Sequence, residues 1–386
     1  MKTNQKYYIG SFIAVVFCLL IFYFVQQQKQ YENIILGTSL PLSGINQDLG
    51  NEIMEGANSY FSHINAKGGI NDKHIQFLFY DDKYEPQNTL INIQKLLYED
   101  NVFALFGFAG TPTAKKVLPL VIDSKVPFIA PYTGASFLRR SDISNIINFR
   151  ASYEQEIEGI VDYLYRTKNI TKFSIFYQND DFGEEGYIAL IKALQKRNLT
   201  LISEGTYKRN TLSVSHAIHE IKNGNPEAVI VIGAYKPSAR FIQKAKECCF
   251  ENTIFAPISF VNSDALIREL DCEGKNIIFS QTVPSFDDES IAVAKEYKKL
   301  LNFYYPNAKP SHVSFESFLA AKAVAKALEN TGENLTRDNF IHQLTHLNPN
   351  VLDGISIEYK NTQLLNKTYL LNFENMRFNI IYEGEY

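Results

Sequence analysis

The sequence predicts an α/β protein of two Rossmann-like lobes, each built on a parallel sheet, and three observations carry this prediction. The chain has 386 residues, of which 45% are hydrophobic, enough to bury two ordinary cores. From Ile34 onward, apolar strands alternate with amphipathic helices at the spacing of βαβ units. The alternation restarts after Arg150, which predicts a second lobe of similar design.

The N-terminal segment differs in composition from the rest of the chain. Lys2 and Lys6 precede an uncharged apolar run at residues 9–25, and a glutamine-rich segment ends that run. As a helix the run is about 26 Å long, which is long for a signal peptide and short for a membrane span. It lacks an evident small-residue cleavage site. We therefore expect residues 1–30 to form an uncleaved inner-membrane anchor with a periplasmic remainder, and a cleaved signal peptide is the alternative.

Composition excludes some partners and leaves the cysteines open. The formal net charge is −4, so a nucleic-acid partner is not expected. Outside the anchor the cysteines are Cys248, Cys249 and Cys272. An oxidising compartment permits a bridge from Cys248 or Cys249 to Cys272, and three reduced core cysteines are an equal alternative.

The first lobe begins with a strand at 34–40 and a helix at 51–65, which Gly68 and Gly69 end. A strand at 75–80 and a helix at 86–98 follow, with Asp81 and Asp82 between them. No third metal ligand is spaced near these two aspartates, so we interpret them as caps of the next helix that line a cleft edge.

Two further strands, at 103–108 and 126–130, each end in a turn rich in hydroxyl groups. Each turn is expected to open a helix, whose free N–H groups favour a carboxylate or another oxygen-rich group. Adjacent parallel strands would bring both turns to one sheet edge. The hydroxyl residues are Thr111, Thr113, Thr133 and Ser136, although serine and threonine at such positions commonly only cap helices.

The second lobe repeats the alternation of strands and helices. The chain then continues with more strands and helices than one such lobe requires. Its expected strands are 173–177, 199–204 and 228–232, and its expected helices are 153–165, 186–197, 213–222 and 238–248. Later we expect a run at 277–283, helices at 291–301 and 314–329, a hairpin of 354–359 with 367–373, and a final run at 376–382. The surplus predicts that the chain crosses between lobes several times, forming a multi-strand hinge. Lobe I is expected at 31–149 plus 284–348, and lobe II at 150–283 plus 349–386.

Several motifs occur in an order typical of one family. They include PLSG at 41–44, IAPYTGAS at 129–136, NDDFGEEGY at 179–187 and IGAYKPSARFIQKAKE at 232–247. In this order the chain resembles the periplasmic solute-binding proteins of the branched-chain amino acid and amide transport family, which have the type I periplasmic-binding fold. The resemblance runs from the first strand to Gly354. It implies one small solute held between two closing lobes, with no cofactor and no metal.

The resemblance also implies site residues. It assigns ligand contacts to Thr111 (or Gly110), Thr133, Ser136, Phe182 and Tyr235, with Thr113 and Ser259 as further candidates. The acid that holds a ligand ammonium group in amino-acid binders should fall at Ile258 or Ser259, and Asp264 belongs to a different position of the pattern. Without that carboxylate, burying an ammonium group costs several kcal/mol. A neutral amide, a carboxylate or an aromatic acid is therefore favoured over an aliphatic amino acid.

The remaining function classes find little support in the sequence. His216 with His219 and His342 with His346 are spaced for one helix face but lack the partners of a zinc site, so we interpret them as solvated. No nucleophile, Walker or dinucleotide motif occurs. We therefore predict a solute-binding protein that delivers its ligand to an ABC permease. The alternatives are a sensor subunit of a membrane kinase or chemoreceptor and, more remotely, an enzyme of the same shape.

Overall fold

A computed structural model describes residues 32–385, and its first sheet consists of parallel strands from the N-terminal part of that range. The strand order is β2-β1-β3-β4-β5, the kind of order that βαβ crossovers produce. β3 and β4 are neighbours, as the two hydroxyl-rich turns required. The strands are β1 Glu32–Leu40, β2 Lys73–Asp81, β3 Ala104–Phe106, β4 Phe128–Ile129 and β5 Ile146–Ile147.

Helices follow the first three strands but not the fourth. They are α1 Gln47–Ala66, α2 Pro86–Tyr98 and α3 Thr111–Ser124. After β4 there is only one 3₁₀ turn, Ser136–Leu138, so the expected second helix opening is wrong. The chain stays extended there because Tyr132 pairs with Ala109 of the neighbouring strand end, and the Tyr153 amide donates to the Gly134 carbonyl.

The second lobe has its own parallel sheet, in the order β7-β6-β8-β9. Its strands are β6 Phe173–Gln178, β7 Leu201–Tyr207, β8 Ala228–Ile232 and β9 Ile254–Pro257. Its helices are α4 Tyr153–Lys168, α5 Asp181–Gln195, α6 Ser215–Lys222, α7 Tyr235–Cys248 and α8 Ser263–Glu269, with a 3₁₀ turn at Ser259–Val261 before α8. The α/β class with parallel sheets is confirmed.

A third, antiparallel sheet closes the chain, with β10 Phe279–Gln281, β11 Lys367–Glu374 and β12 Arg377–Glu385 in that order. The hairpin is therefore formed by β11 and β12, and the expected pairing of residues 354–359 with 367–373 is wrong. Asn375 and Met376 both have positive φ angles, which a two-residue hairpin turn requires. Leu364 and Leu365 instead bond to the carbonyls of Asn148 and Phe149, so this stretch runs beside the segment that leaves the first sheet.

Two of the late helices pack against α1, and a third packs against the second of them. They are α9 Ala292–Tyr304, α10 His312–Asn330 and α11 Arg337–Thr345. α10 is buried at almost every position because its alanines allow close helix approach. Gly56 of α1 has no room for a Cβ, since the Ser314 carbonyl of α10 lies against it. This packing supports the proposed division, with 284–348 joining lobe I.

The cysteines of the described residues lie near the ends of α7 and α8. Cys272 is free, so the expected bridge to Cys272 is wrong, whereas the sulfur atoms of the adjacent Cys248 and Cys249 lie side by side. α7 ends at these adjacent cysteines, whereas Cys272 follows α8 with its amide bonded to the Ile267 carbonyl.

Within residues 32–385 every helix is too short or too polar to cross a membrane. The predicted anchor at residues 1–30 lies outside the described residues.

Candidate functional site

The two hydroxyl-rich turns meet at the carboxyl edge of the first sheet. Thr111 opens α3 directly after β3, and Thr133 follows β4. Their Oγ1 atoms are 2.8 Å apart, and the Tyr153 hydroxyl lies 3.2 Å from Thr133 Oγ1. All three side chains are buried. They form a connected hydroxyl cluster where the two lobes meet, and we call this cluster the floor of the cleft.

Aromatic side chains from both lobes cover this floor. Phe260, in the 3₁₀ turn after β9, has its ring centroid 4.5 Å from Phe182 and about 6 Å from the rings of Tyr84 and Tyr132. The Tyr153 ring lies 5.5 Å from Phe182. We call these five residues the ring cluster. All are buried, so the lobes are joined across the cleft by aromatic contacts.

Two other candidates, Tyr235 and Thr113, differ in their hydrogen bonding. Tyr235 begins α7 and is buried, and its hydroxyl has no hydrogen-bond partner of standard geometry among the described residues. Burial, followed by the nearby Asp48 carboxylate, raises the pKa of Tyr235 far above its usual value. Thr113, in contrast, donates to the carbonyls of Ala109 and Gly110, a local bond to carbonyls three and four residues earlier that serine and threonine often form in helices.

Ser136 lies at the rim of the cleft rather than on its floor. It is exposed, and its amide and hydroxyl both donate to the Glu185 carboxylate of α5, at 2.8 and 3.0 Å. Lys115 of α3 forms a second rim contact, with Asp181 of α5. These exposed ion pairs and hydrogen bonds add little energy individually, but they define how the two lobes meet.

A third rim contact is made by Arg209, which follows β7. Its guanidinium bonds to Asp180 at 2.8 Å and to Glu85 of the first lobe at 3.0 Å. Asn210 also donates to the Glu85 carboxylate. Glu85 is the N-cap residue of α2, so the contact holds the mouth of the first sheet against the second lobe.

Ser259 belongs to a buried ionic network at the base of the cleft. Its amide and hydroxyl donate to the Glu156 carboxylate at 2.8 Å, and its hydroxyl accepts from Arg150 at 2.7 Å. Arg150 is also paired with Glu316 at 3.0 Å and stacks on the Tyr132 ring. Burial is the largest single influence and opposes the charge of Arg150, but Glu316 and the other acidic groups nearby, Tyr132, Glu156 and Tyr153, together outweigh it and raise the pKa of the guanidinium above its ordinary value.

Around the cleft, the carboxylates already accept hydrogen bonds from the protein, whereas some hydrogen-bond donors lack an acceptor of standard geometry. Several buried carboxylates already accept protein hydrogen bonds, namely Asp82, Glu156, Asp180, Asp264 and Glu316. Among the described residues, however, the Arg150 Nη1 group has no hydrogen-bond partner, and the hydroxyls of Tyr84 and Tyr235 have none of standard geometry, although Gln178 and Asp48 lie beside them. Buried polar groups are normally paired, so the cleft has more hydrogen-bond donors to offer a solute than free carboxylates.

Asp81 and Asp82 hold the turns that follow β1 and β2 rather than capping α2. Asp81 accepts from the Leu42 amide and the Ser43 hydroxyl, and Asp82 accepts from Ser39. Burial raises the pKa of Asp82 to about 6, although its hydrogen bonds act in the opposite direction. The interpretation of the two aspartates as helix caps is therefore wrong.

Many residues of the site are not among those predicted from the sequence. The prediction lacks Arg150 and four residues of the ring cluster, namely Tyr84, Tyr132, Tyr153 and Phe260. Tyr132 lies directly before Thr133, and Phe260 directly after Ser259. An aromatic residue adjacent to a predicted turn residue is therefore the sequence signal for Tyr132 and Phe260. Arg150 gives no such signal, because only the fold brings Glu316 beside it.

Three comparisons with known proteins agree with this architecture. Residues 33–374 match the model of a periplasmic binding protein family. The chain is 22% identical over 205 residues to Leu/Ile/Val-binding protein homolog 3 of Brucella melitensis, covering 53% of this chain and 55% of that protein. This match thus spans little more than half of that relative's length. Homolog 7 of Brucella abortus is 20% identical over 309 residues, which is 77% of each chain.

A solved structure extends the similarity to nearly the whole chain. It is a possible leucine/isoleucine/valine-binding protein from Rhodopirellula baltica, with a TM-score of 0.84 and 29% sequence identity. The alignment covers 91% of this chain and 96% of that chain. Both lobes and the segments that join them therefore have counterparts in a known structure.

Proposed function

Because residues 33–374 match its family model, the chain belongs to the periplasmic binding protein family, and we propose that it captures one small polar organic solute between its lobes. The proposed output is delivery of that solute to an ABC importer. The site residues predicted from the sequence, namely Thr111 and Thr133 on the floor, Phe182 in the ring cluster and Tyr235 at the start of α7, are its proposed contacts. Anchoring by residues 1–30 in the inner membrane remains part of this proposal.

The proposed ligand chemistry rests on one observation. The carboxylates around the cleft already accept hydrogen bonds, whereas some hydrogen-bond donors there lack an acceptor of standard geometry. An ammonium group needs a carboxylate that is free to accept from it, and Glu156 beside Ser259 already accepts from Ser259 and Ser280. A ligand carboxylate or carbonyl, in contrast, can accept from the hydroxyl cluster and from the Arg150 Nη1 group. We therefore favour a carboxylate, an amide or an aromatic acid over an aliphatic amino acid.

The proposed mechanism is hinge closure. Thr111 and Thr133 of the hydroxyl cluster belong to the first lobe, whereas Phe182 and Tyr235 belong to helices of the second. A solute that contacts both sets has more contacts when the lobes are together than when they are apart, and it therefore shifts the equilibrium toward the closed form. Docking of the closed form on the permease completes the proposed cycle.

A ligand screen on the full-length chain in detergent tests this proposal. Melting is followed by circular dichroism in the presence of L-leucine, L-valine, acetamide, urea, benzoate and phenylacetate. Ligand at 100 times its dissociation constant stabilises the folded state by about 2.7 kcal/mol. We expect the carboxylates or amides to raise the melting temperature most. If L-leucine or L-valine raises it as much as any other compound, the argument from the occupied carboxylates is wrong.

A further inference from the structure

The carboxyl group of Glu52 on α1 accepts hydrogen bonds from both lobes. Its Oε2 atom accepts from Asn262 Nδ2 and from the Ser311 hydroxyl, both at 2.9 Å. Its Oε1 atom accepts from Arg268 at 3.0 Å. Asn262 and Arg268 belong to the cap and last turn of α8 in the second lobe, whereas Ser311 caps α10 in the first. Glu52 therefore binds both lobes at once.

The surroundings of Glu52 contain more negative than positive charge. Asp48 lies one turn earlier on α1 and shares Arg268, with its carboxylate 3.5 Å from the guanidinium. Asp264 of α8 also lies close enough to disfavour the charge of Glu52, and it pairs with His312 of α10 at 2.9 Å. The other titratable groups that face Glu52 are the phenols of Tyr132, Tyr235 and Tyr297. One arginine thus serves two carboxylates, with a third nearby.

Burial and the ion pair act in opposite directions on Glu52. The side chain is about 10% exposed, whereas Arg268 is about 32% exposed and is shared with Asp48. Solvent screening weakens attraction to a partly exposed charge, so the loss of hydration outweighs it. Burial, only partly offset by Arg268, raises the pKa of Glu52 to about 7.

We propose that Glu52 links closing of the cleft to proton uptake, because closing carries its carboxyl group into a buried, acid-rich contact with Asn262 and Arg268. The inference rests on hinge closure as proposed above. In the open form α8 is withdrawn, and Glu52 becomes an ordinary solvated carboxyl group. The proton comes from solvent. The Ser311 hydroxyl can accept as well as donate, so the protonated carboxyl keeps a partner.

The direction and size of the effect follow from linkage. A group that binds protons more tightly in the closed form favours closing as the pH falls. For a carboxyl group that titrates near 7 when closed and near 4.5 when open, lowering the pH from 8.0 to 5.5 favours closing about 25-fold. Acid therefore holds the cleft shut, and a neutral or basic medium favours its opening.

Amide hydrogen exchange on the full-length chain in detergent tests the proposal without any ligand. The readout is the protection of residues 262–268, corrected for the intrinsic rate at each pH. We expect this protection in the wild type to be about 25-fold greater at pH 5.5 than at pH 8.0. Glu52→Gln imitates the protonated group, so its protection should change less than about threefold.

Two further variants separate proton uptake from a general role in lobe contact. Glu185→Gln removes an exposed rim contact with Ser136, so it should lower protection at both pH values and leave their ratio unchanged. Arg268→Gln removes the opposing positive charge, so the response should move to higher pH. If Glu52→Gln keeps the wild-type ratio, or if wild-type protection falls on acidification, the proposal is overturned. A failed ligand screen alone would count against the proposed function and leave this result intact.

Discussion

Thr111 and Thr133 lie 22 residues apart in the chain, yet their hydroxyl oxygens are 2.8 Å apart. The contact exists because β3 and β4 are parallel neighbours whose carboxyl ends meet at one sheet edge. The Tyr153 hydroxyl joins the pair from the start of α4 in the second lobe. The three hydroxyl groups can rearrange between donor and acceptor roles, which suits a floor that binds oxygen atoms of a solute.

Replacing Thr133 with valine should weaken ligand binding more than it weakens the fold. The change keeps the shape of the side chain and removes the hydroxyl that bonds to Thr111 and Tyr153. Loss of one or two neutral hydrogen bonds corresponds to about 1 to 2 kcal/mol, or about a 5- to 30-fold loss of affinity. The measurement is the melting shift caused by the best compound of the screen. Thr113→Val is the matched control, since Thr113 bonds only to backbone carbonyls, and equal losses in both variants would contradict the assignment.

Removing Glu316 should destabilise the fold strongly. Glu316→Gln leaves the guanidinium of Arg150 fully buried beside a neutral group. Breaking one partner of a buried ion pair costs about 3 to 5 kcal/mol, measurable by urea unfolding followed by circular dichroism. The double variant Arg150→Met with Glu316→Leu should be less destabilised than Glu316→Gln alone, because neither member of the Arg150–Glu316 pair is left without its partner. A double variant that is at least as unstable would show that the network contributes more than charge compensation.

Asp82 should make the fold less stable as the pH rises from about 4 to about 6. Burial raises its folded-state pKa from the ordinary 3.8 to about 6, so between these values the folded state binds more protons than the unfolded state. The unfolding free energy then decreases with rising pH over that window, by about 2 kcal/mol. Urea unfolding at pH 4, 5, 6 and 7 checks this. Asp82→Asn should remove this part of the pH dependence while the contribution of Glu52 persists, and an unchanged profile would refute the role of Asp82.

Gly56 should tolerate no side chain. A Cβ at this position would overlap the backbone carbonyl of Ser314, so Gly56→Ala must push α1 and α10 apart. Such overpacking costs about 1 to 3 kcal/mol, seen as a lower urea midpoint with an unchanged slope. Glu55→Ala, the preceding residue on α1, is the control and should stay within about 0.5 kcal/mol of wild type. A tolerated alanine at Gly56 would argue against close packing of residues 312–330 on the first lobe.

The sequence predicted the strand and helix order well where the apolar pattern was strong, and poorly where long-range contacts decided the conformation. The strand at 75–80 and the helix at 86–98 match β2 and α2 because their periodicity is local. The helix expected after residue 130 is absent because Tyr132 pairs with Ala109. The hairpin expected at 354–359 fails because Leu364 and Leu365 bond to the strand exit at Asn148 and Phe149.

The sequence by itself determined the two-lobed α/β class and the turns that carry Thr111, Thr133 and Tyr235, because strand spacing, glycines and hydroxyl residues are local signals. The tertiary structure decided which of these groups meet, and that the Thr113 hydroxyl bonds to its own backbone. It also decided that Arg150 faces Glu316 across 166 residues of chain and that Glu52 reaches Arg268 of the other lobe. Such pairs depend on how two sheets close on each other, and neither composition nor periodicity encodes that geometry locally.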